Sequence, residues 1–223
     1  MASNLTQRIF TGVIAGAAAL TLTLYDPLTF LALLLVATIL CVREWLHIGK
    51  HIYPQSNKSR LVFAALFVPY VMPCILCLAW LRCWPEEGNY LVLGVFALVW
   101  TTDIAAYACG RIIGGPKIAP RISPSKTWAG LIGAMLATAG MAALLAQNMA
   151  SLPLPVSLIS GAILAIVAQA GDFFESWLKR RAGLKDSGNL LPGHGGILDR
   201  IDGMIPAVPL YTAIILLFCT SAH

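Results

Sequence analysis

The sequence predicts an all-α, polytopic membrane helix bundle with about seven transmembrane helices and a cytoplasmic N-terminus. Of its 223 residues, 58% are hydrophobic and 11% are charged, and the mean hydropathy is +0.79. Soluble domains carry roughly 25% charged residues, and a soluble core could not hide this much apolar surface from water. The apolar residues also fall into runs near the length that crosses a bilayer, and the basic residues fall into alternate loops.

The apolar runs predict the helices in order, given that a helix needs about 20 residues to cross a bilayer. The predicted spans are Ile9–Leu24, Leu28–Val42, Leu61–Leu81, Tyr90–Cys109, Trp128–Gln147, Leu152–Ala170 and Gly203–Cys219. A turn at Asp26 and Pro27 separates the first two spans, because both residue types disfavour a continued helix. The third span is expected to kink at Pro69 or Pro73.

The positions of the basic residues predict the orientation of these helices. Of the 15 lysines and arginines, all except Arg82 lie in the N-terminal tail or in every second loop. The positive-inside rule places those segments in the cytoplasm, so the N-terminus is expected inside and the C-terminus outside. The net charge of +5 is thereby explained by topology, and no nucleic-acid partner is expected.

The six cysteines sit mostly in apolar runs, which is not the compact spacing of a disulfide framework. Cys74 and Cys77 form a C-x-x-C pair, but no histidine or second pair lies nearby in the sequence. This pattern favours ordinary helix packing over a metal or redox site.

Half of the ten acidic residues lie in one short segment that is also basic and rich in glycine: Asp172, Glu175, Asp186, Asp199 and Asp202. If the sixth span continues as a helix, Asp172, Glu175 and Lys179 share one face, because they are spaced at i, i+3 and i+7. Carboxylates mixed with lysines and arginines at a membrane surface suit a divalent cation that bridges phosphates. Glycines let backbone N–H groups approach phosphate oxygens. We interpret the segment as a phosphate-handling site; the alternative is a solvated, salt-bridged loop.

An acidic residue, Asp103, lies deep in the fourth span, where a carboxylate is costly enough to be a functional candidate. Asp103, Tyr107 and Arg111 are spaced at i, i+4 and i+8, so they can line one stripe of the helix. The alternative is a structural hydrogen bond from Asp103 to a neighbouring helix.

The segment Ser123-Pro124-Ser125-Lys126-Thr127 precedes the fifth span. Ser123 can cap a helix, and Pro124 suits the first helical position. This predicts a cytoplasmic helix N-terminus with Lys126 beside it, which is a natural anion site. The alternative is a plain helix cap.

These motifs resemble those of a known family. Residues 176–202, which end in the run LPGHGGILDRID, are similar to the C-terminal signature of phosphatidate cytidylyltransferases (CDP-diacylglycerol synthases). The segments from Asp103 to Arg111 and from Ser123 to Thr127 resemble upstream motifs of the same family. The family often has an acidic residue where this chain has Ala129.

The resemblance implies an enzyme of phospholipid biosynthesis that transfers CMP from CTP to phosphatidic acid and releases pyrophosphate. It implies one domain over residues 1–223, with N-terminal helices at 1–90 and catalytic helices and cytoplasmic loops at 91–223. The implied cofactor is Mg²⁺, as one ion or two. The implied partners are CTP, phosphatidic acid and membrane lipid, with a homodimer as a further option. The implied location is the bacterial inner membrane, with the site facing the cytoplasm.

The implied reaction brings two anions together at an α-phosphoryl group. This chemistry suggests a role for each residue that matches the family motifs. The predicted metal ligands are Asp172 and Asp199, followed by Asp202 and Asp186. The residues predicted to be catalytic are Asp199, Asp172, Lys185, His194 and Arg200. His194 is expected to donate a hydrogen bond to phosphate rather than act as a base. The residues predicted to bind the nucleotide or the headgroup are Lys126, Ser123, Ser125, Lys179, Arg180, Asp103 and Arg111.

Two other functions fit parts of the pattern. A CTP-dependent polyprenol or phytol kinase resembles this chain around the intramembrane Asp and the Lys motif, but lacks the His-Gly-Gly-x-x-Asp-Arg-x-Asp run. A non-enzymatic lipid-binding or transport protein would have polar residues that line a path to both faces of the membrane. Most acidic residues of this chain instead fall in predicted cytoplasmic segments, which favours a one-sided site.

Overall fold

A computed structural model describes residues 16–17, 20–147, 152–188 and 195–219. The helices of this part of the chain are α1 (Pro27–Ile52), α2 (Asn57–Ala65), α3 (Phe67–Arg82), α4 (Gly88–Ile112), α5 (Trp128–Ala146), α6 (Leu154–Arg181), α7 (Leu198–Ile201) and α8 (Met204–Cys219). Two short strands, β1 (Lys117–Ala119) and β2 (Ser123–Thr127), lie between α4 and α5. Six stretches of these helices are long and apolar enough to cross a membrane. The prediction of an all-α polytopic bundle is confirmed.

The first predicted span, Ile9–Leu24, lies largely outside the described residues, although residues 20–25 are helical. The other six predicted spans each correspond to a membrane-length stretch. Two of them continue well past their apolar runs, to Ile52 in α1 and to Arg181 in α6. Hydropathy marks where a helix leaves lipid rather than where its backbone hydrogen bonds end, so these extensions escaped the apolar count.

The start of α1 follows the predicted turn. The carboxylate of Asp26 accepts a hydrogen bond from the Leu28 amide, and Pro27 occupies the first helical position, where its missing N–H costs nothing. The third predicted span is divided at Leu66 into α2 and α3, and Pro73 lies inside α3. The helix is therefore interrupted three residues before Pro69, one of the two prolines at which a kink was expected, because a proline cannot bond to the carbonyl four residues earlier.

The strands β1 and β2 pair antiparallel, with Lys117 opposite Thr127 and Ala119 opposite Ser123. The prediction that Ser123 caps the fifth span was wrong. Strand pairing keeps residues 123–127 extended, so α5 begins later, and the Thr127 hydroxyl accepts the capping hydrogen bond from the Gly130 amide at 3.1 Å. Serine and threonine are both good caps, and the hairpin decides between them.

The described chain forms two compact units. One contains residues 1–93 and 178–201. In it the Trp45 ring of α1 stacks on Phe63 of α2 with centroids 4.6 Å apart, and its Nε1 donates to the Phe63 carbonyl at 2.8 Å. A buried indole with its N–H satisfied fixes these two helices against each other.

The other unit contains residues 94–177 and 202–223. Within it, the buried hydroxyls of Thr102 in α4 and Thr138 in α5 lie 2.8 Å apart. Gly161 lets α6 approach α5 so closely that a β-carbon there would collide with Ala142 and the Thr138 carbonyl. Close approach through glycine and hydroxyl pairing is typical of membrane helices. The prediction of one domain, with N-terminal helices at 1–90 and catalytic helices and loops at 91–223, stays a prediction.

Candidate active site

In the first unit, four donor contacts surround the carboxylate of Asp199, one of them from a hydroxyl that it shares with Glu44. One oxygen, Oδ2, accepts from the Ser187 amide at 2.9 Å, from the Ser187 hydroxyl at 3.0 Å and from the Gly196 amide at 2.8 Å. The other oxygen accepts from the Lys179 ammonium at 2.5 Å. These bonds tie the end of α6 and the turn around Ser187 to the short helix α7, so Asp199 has a fixed position.

A second carboxylate, Glu44 of α1, supports the same turn. Its side chain is buried, and its oxygens accept from the Ile197 amide, the Leu198 amide and the Ser187 hydroxyl, each at 2.9 Å. A buried carboxylate is tolerable only when donors replace its lost water, and here three do. Gly196 lies so close to Glu44 that any side chain there would collide with it.

Sequence reasoning did not identify Glu44 as a functional candidate. It lies just past the predicted end of the second span, in the part of α1 that the apolar count missed. Its only sequence signal is an acidic residue that immediately follows Arg43 at the end of an apolar run.

In the second unit, Lys126 of β2 lies among the side chains of α6. It forms an ion pair with Asp172, donates to Gln169 Oε1 at 2.8 Å and lies 4.9 Å from the centre of the Phe173 ring. The Ser176 hydroxyl donates to the other Asp172 oxygen at 3.3 Å. The predicted helical continuation and the shared face that begins at Asp172 are confirmed.

Three more acidic residues lie near this ion pair. Asp103 interacts electrostatically with both Asp172 and Lys126, and Asp202 interacts electrostatically with Asp172 and lies close to the buried Glu175. Gly171 has no room for a side chain because the backbone of Asp202 packs against it. This cluster, defined as Asp103, Lys126, Asp172, Glu175 and Asp202, concentrates carboxylate charge around one ammonium group.

The donor chemistry of this cluster fits a hard divalent cation, since Mg²⁺ prefers carboxylate oxygens. Among the described residues, however, no group of three or more His, Cys, Asp or Glu side chains is arranged to hold a metal ion. Lys126 takes the place that a cation would hold beside Asp172. The oxygen ligands are therefore present, but their arrangement is that of an ion-paired site.

The other predicted site residues are distributed as follows. Arg111 donates to the Tyr107 hydroxyl at 2.7 Å, which confirms part of the predicted stripe in α4. Ser123 is buried in the hairpin. The exposed members of the predicted set are Asp103, Arg111, Ser125, Arg180, Lys185, Asp186 and Arg200. His194 lies outside the described residues.

Comparison with known proteins gives the family. A family model described as the cytidylyltransferase family matches residues 51–218. The chain belongs to the cytidylyltransferase family. Apart from Glu44, the residues that build the two carboxylate sites lie inside the region matched to this family.

Several curated relatives carry the name phosphatidate cytidylyltransferase. The Rickettsia bellii protein is 34% identical over 218 residues, which cover 93% of this chain and 89% of the relative. The Pseudomonas aeruginosa protein is 37% identical over 170 residues, covering 73% and 62%. The Brucella suis protein is 52% identical over 128 residues, covering 55% and 46%. The chain thus spans about half the length of the Brucella relative.

Proposed function

We propose that the protein transfers the CMP group of CTP to phosphatidate, giving CDP-diacylglycerol and pyrophosphate. Membership of the cytidylyltransferase family and the shared name of its curated relatives support this activity. The observation that carries the proposal is the ion pair between Lys126 and Asp172, two residues of separate predicted motifs that meet in one acidic cluster.

In the proposed reaction, a phosphate oxygen of phosphatidate forms a bond to the α-phosphorus of CTP. The bond from that phosphorus to the oxygen bridging the β-phosphate breaks, and pyrophosphate leaves with the electron pair. The attacking phosphate is already ionised at neutral pH, so no strong general base is needed. The barrier lies in bringing two anions together, which cationic side chains lower.

The cofactor we propose is Mg²⁺, which would neutralise charge on the phosphates when bound. Asp172 and Asp202 have the best support as its ligands, because both lie in the acidic cluster. Asp199 and Asp186 remain proposed ligands, although four donor contacts from the protein already surround Asp199. Lys126 would exchange Asp172 for a phosphate oxygen when nucleotide and metal enter.

We also propose that the site faces the cytoplasm of a bacterial inner membrane. The basic loops support this orientation, and the curated relatives named above are bacterial. Cytoplasmic orientation gives the site access to CTP. The homodimer stays a prediction.

The activity is tested with purified protein in detergent, given CTP, phosphatidate and Mg²⁺. We expect pyrophosphate and CDP-diacylglycerol to accumulate in equal amounts, measured by enzymatic phosphate release and lipid mass spectrometry. A folded protein that forms neither product would contradict the proposal.

A further inference from the structure

A groove runs beside the cytoplasmic half of α1, within the first unit. Its volume is about 640 Å³, which lies in the range of small-molecule sites. The residues that decide its chemistry are Ile39, Arg43, Leu46, His47, Lys50 and Ser187. Helix α1 up to Lys50 precedes the region that the cytidylyltransferase family model matches.

The α1 side of the groove changes from apolar to basic along the helix. Ile39, Arg43 and Lys50 are spaced at i, i+4 and i+11, so they lie on one stripe about 16 Å long. Leu46 and His47 lie on the same stripe between Arg43 and Lys50. The end nearer the predicted membrane interior is aliphatic, and the cytoplasmic end carries Arg43, His47 and Lys50, all of them exposed.

Basic residues at the end of a membrane helix have an ordinary explanation in topology and in the helix dipole. This groove has two further features. Its wall includes Ser187 and Gly188, and the Ser187 hydroxyl also contacts the Asp199 carboxylate at 3.0 Å. The acidic residue in the wall, Glu44, has its oxygens occupied by three protein donors, so it is a poor competitor for the cations.

Gly188 contributes to the shape of the groove. A β-carbon at this position would lie 2.9 Å from a Glu44 oxygen, so only glycine lets the loop pack onto α1 here. Ser187 and Gly188 therefore line one side of the groove, close against α1.

We propose that this groove binds the acceptor lipid, with the phosphomonoester headgroup against Arg43, His47 and Lys50 and the start of the acyl chains against Ile39 and Leu46. The proposal rests on the proposed function and adds the location of its lipid substrate. An anionic head joined to apolar tails matches the basic-to-aliphatic order along α1. A nucleotide is anionic too, but it has no aliphatic part for the membrane end of the groove.

Binding is tested without turnover, by titrating purified protein in detergent with short-chain phosphatidate in the absence of CTP. In the variant Arg43→Gln/Lys50→Gln, we expect affinity for phosphatidate to fall at least about tenfold, since charge-assisted hydrogen bonds to phosphate are lost. Lys58→Gln is the matched control, because Lys58 is an exposed lysine of α2 outside the groove. We expect the control to bind phosphatidate normally, and both variants to elute and unfold like the wild type.

Two comparisons identify the occupant. Glycerol 3-phosphate should bind much more weakly than phosphatidate, and the double variant should raise the KM for phosphatidate with the KM for CTP unchanged. Unchanged phosphatidate affinity, equally tight binding of glycerol 3-phosphate, or a selective loss of CTP affinity would each overturn the proposal. If the wild type binds phosphatidate through the groove but transfers no CMP, the proposed function is contradicted, and the groove is a phosphatidate site without the role of an acceptor site.

Discussion

The carboxylates of Glu44 and Asp199 meet at one hydroxyl group. Ser187 Oγ lies 2.9 Å from Glu44 Oε2 and 3.0 Å from Asp199 Oδ2, and its single hydrogen can serve one of them at a time. Glu44 also holds the amides of Ile197 and Leu198, directly before Asp199. A residue of α1, outside the region matched to the family, therefore fixes the turn that presents the signature carboxylate.

Replacing Glu44 by alanine should destabilise the protein and abolish most activity. The substitution leaves the backbone amides of Ile197 and Leu198 without their acceptor, at about 1–3 kcal/mol for each. The Ser187 hydroxyl can still donate to Asp199. We expect Glu44→Gln to be milder, because it keeps one acceptor oxygen. Thermal unfolding in detergent measures the effect, and Leu35→Ala on the exposed side of α1 is the control. A Glu44→Ala protein as stable as the wild type would show that these bonds contribute nothing.

Asp172→Asn should lower activity at least about a hundredfold while the fold survives, because the change keeps size and removes charge. Lys126→Gln should act on the same step, so the double variant should lose less than the product of the two single effects. The assay is initial rate of CDP-diacylglycerol formation, with Glu87→Gln as a control from a loop outside both carboxylate sites. If the rate loss of the double variant equals the product of the two single losses, Lys126 and Asp172 act independently.

Chelation of divalent cations should stop the reaction, and added Mg²⁺ should restore it. If Asp172 and Asp202 are ligands, Asp172→Asn and Asp202→Asn should each raise the Mg²⁺ concentration for half-maximal rate about tenfold or more. The same titration on Asp199→Asn asks whether Asp199 binds metal or only holds its turn. Full activity of the wild type in excess chelator would show that the reaction needs no divalent cation.

The orientation of the helices can be tested by cysteine labelling. Cys83 is exposed and directly follows α3, in the segment between the third and fourth predicted spans, which is predicted to face outward. Kept as the single cysteine, it should react with an impermeant maleimide in intact cells. A cysteine placed at Asn57, in a predicted cytoplasmic loop, should react only after permeabilisation. The reverse pattern would put the site on the side without CTP.

Helix positions were largely predictable because a membrane helix is encoded by a local apolar run. The capping residue of α5, Thr127, was not predictable, because strand pairing overruled the equally suitable cap at Ser123. The role of Glu44 could not be predicted from local sequence patterns either, because its partner Ser187 is 143 positions away in the sequence. The spacing of Asp172 and Lys179 on α6 predicted a shared helix face, but not that each would pair with an ion partner elsewhere in the chain.

The fate of the CTP phosphates tests the central claim most directly. Purified protein is given phosphatidate, Mg²⁺ and CTP that is radiolabelled at either the α- or the γ-phosphorus. CMP transfer predicts that α label enters the lipid fraction and that γ label appears only in pyrophosphate. Entry of γ label into lipid, with CDP as the released nucleotide and a polyprenol or phytol as acceptor, would contradict the account and identify a kinase.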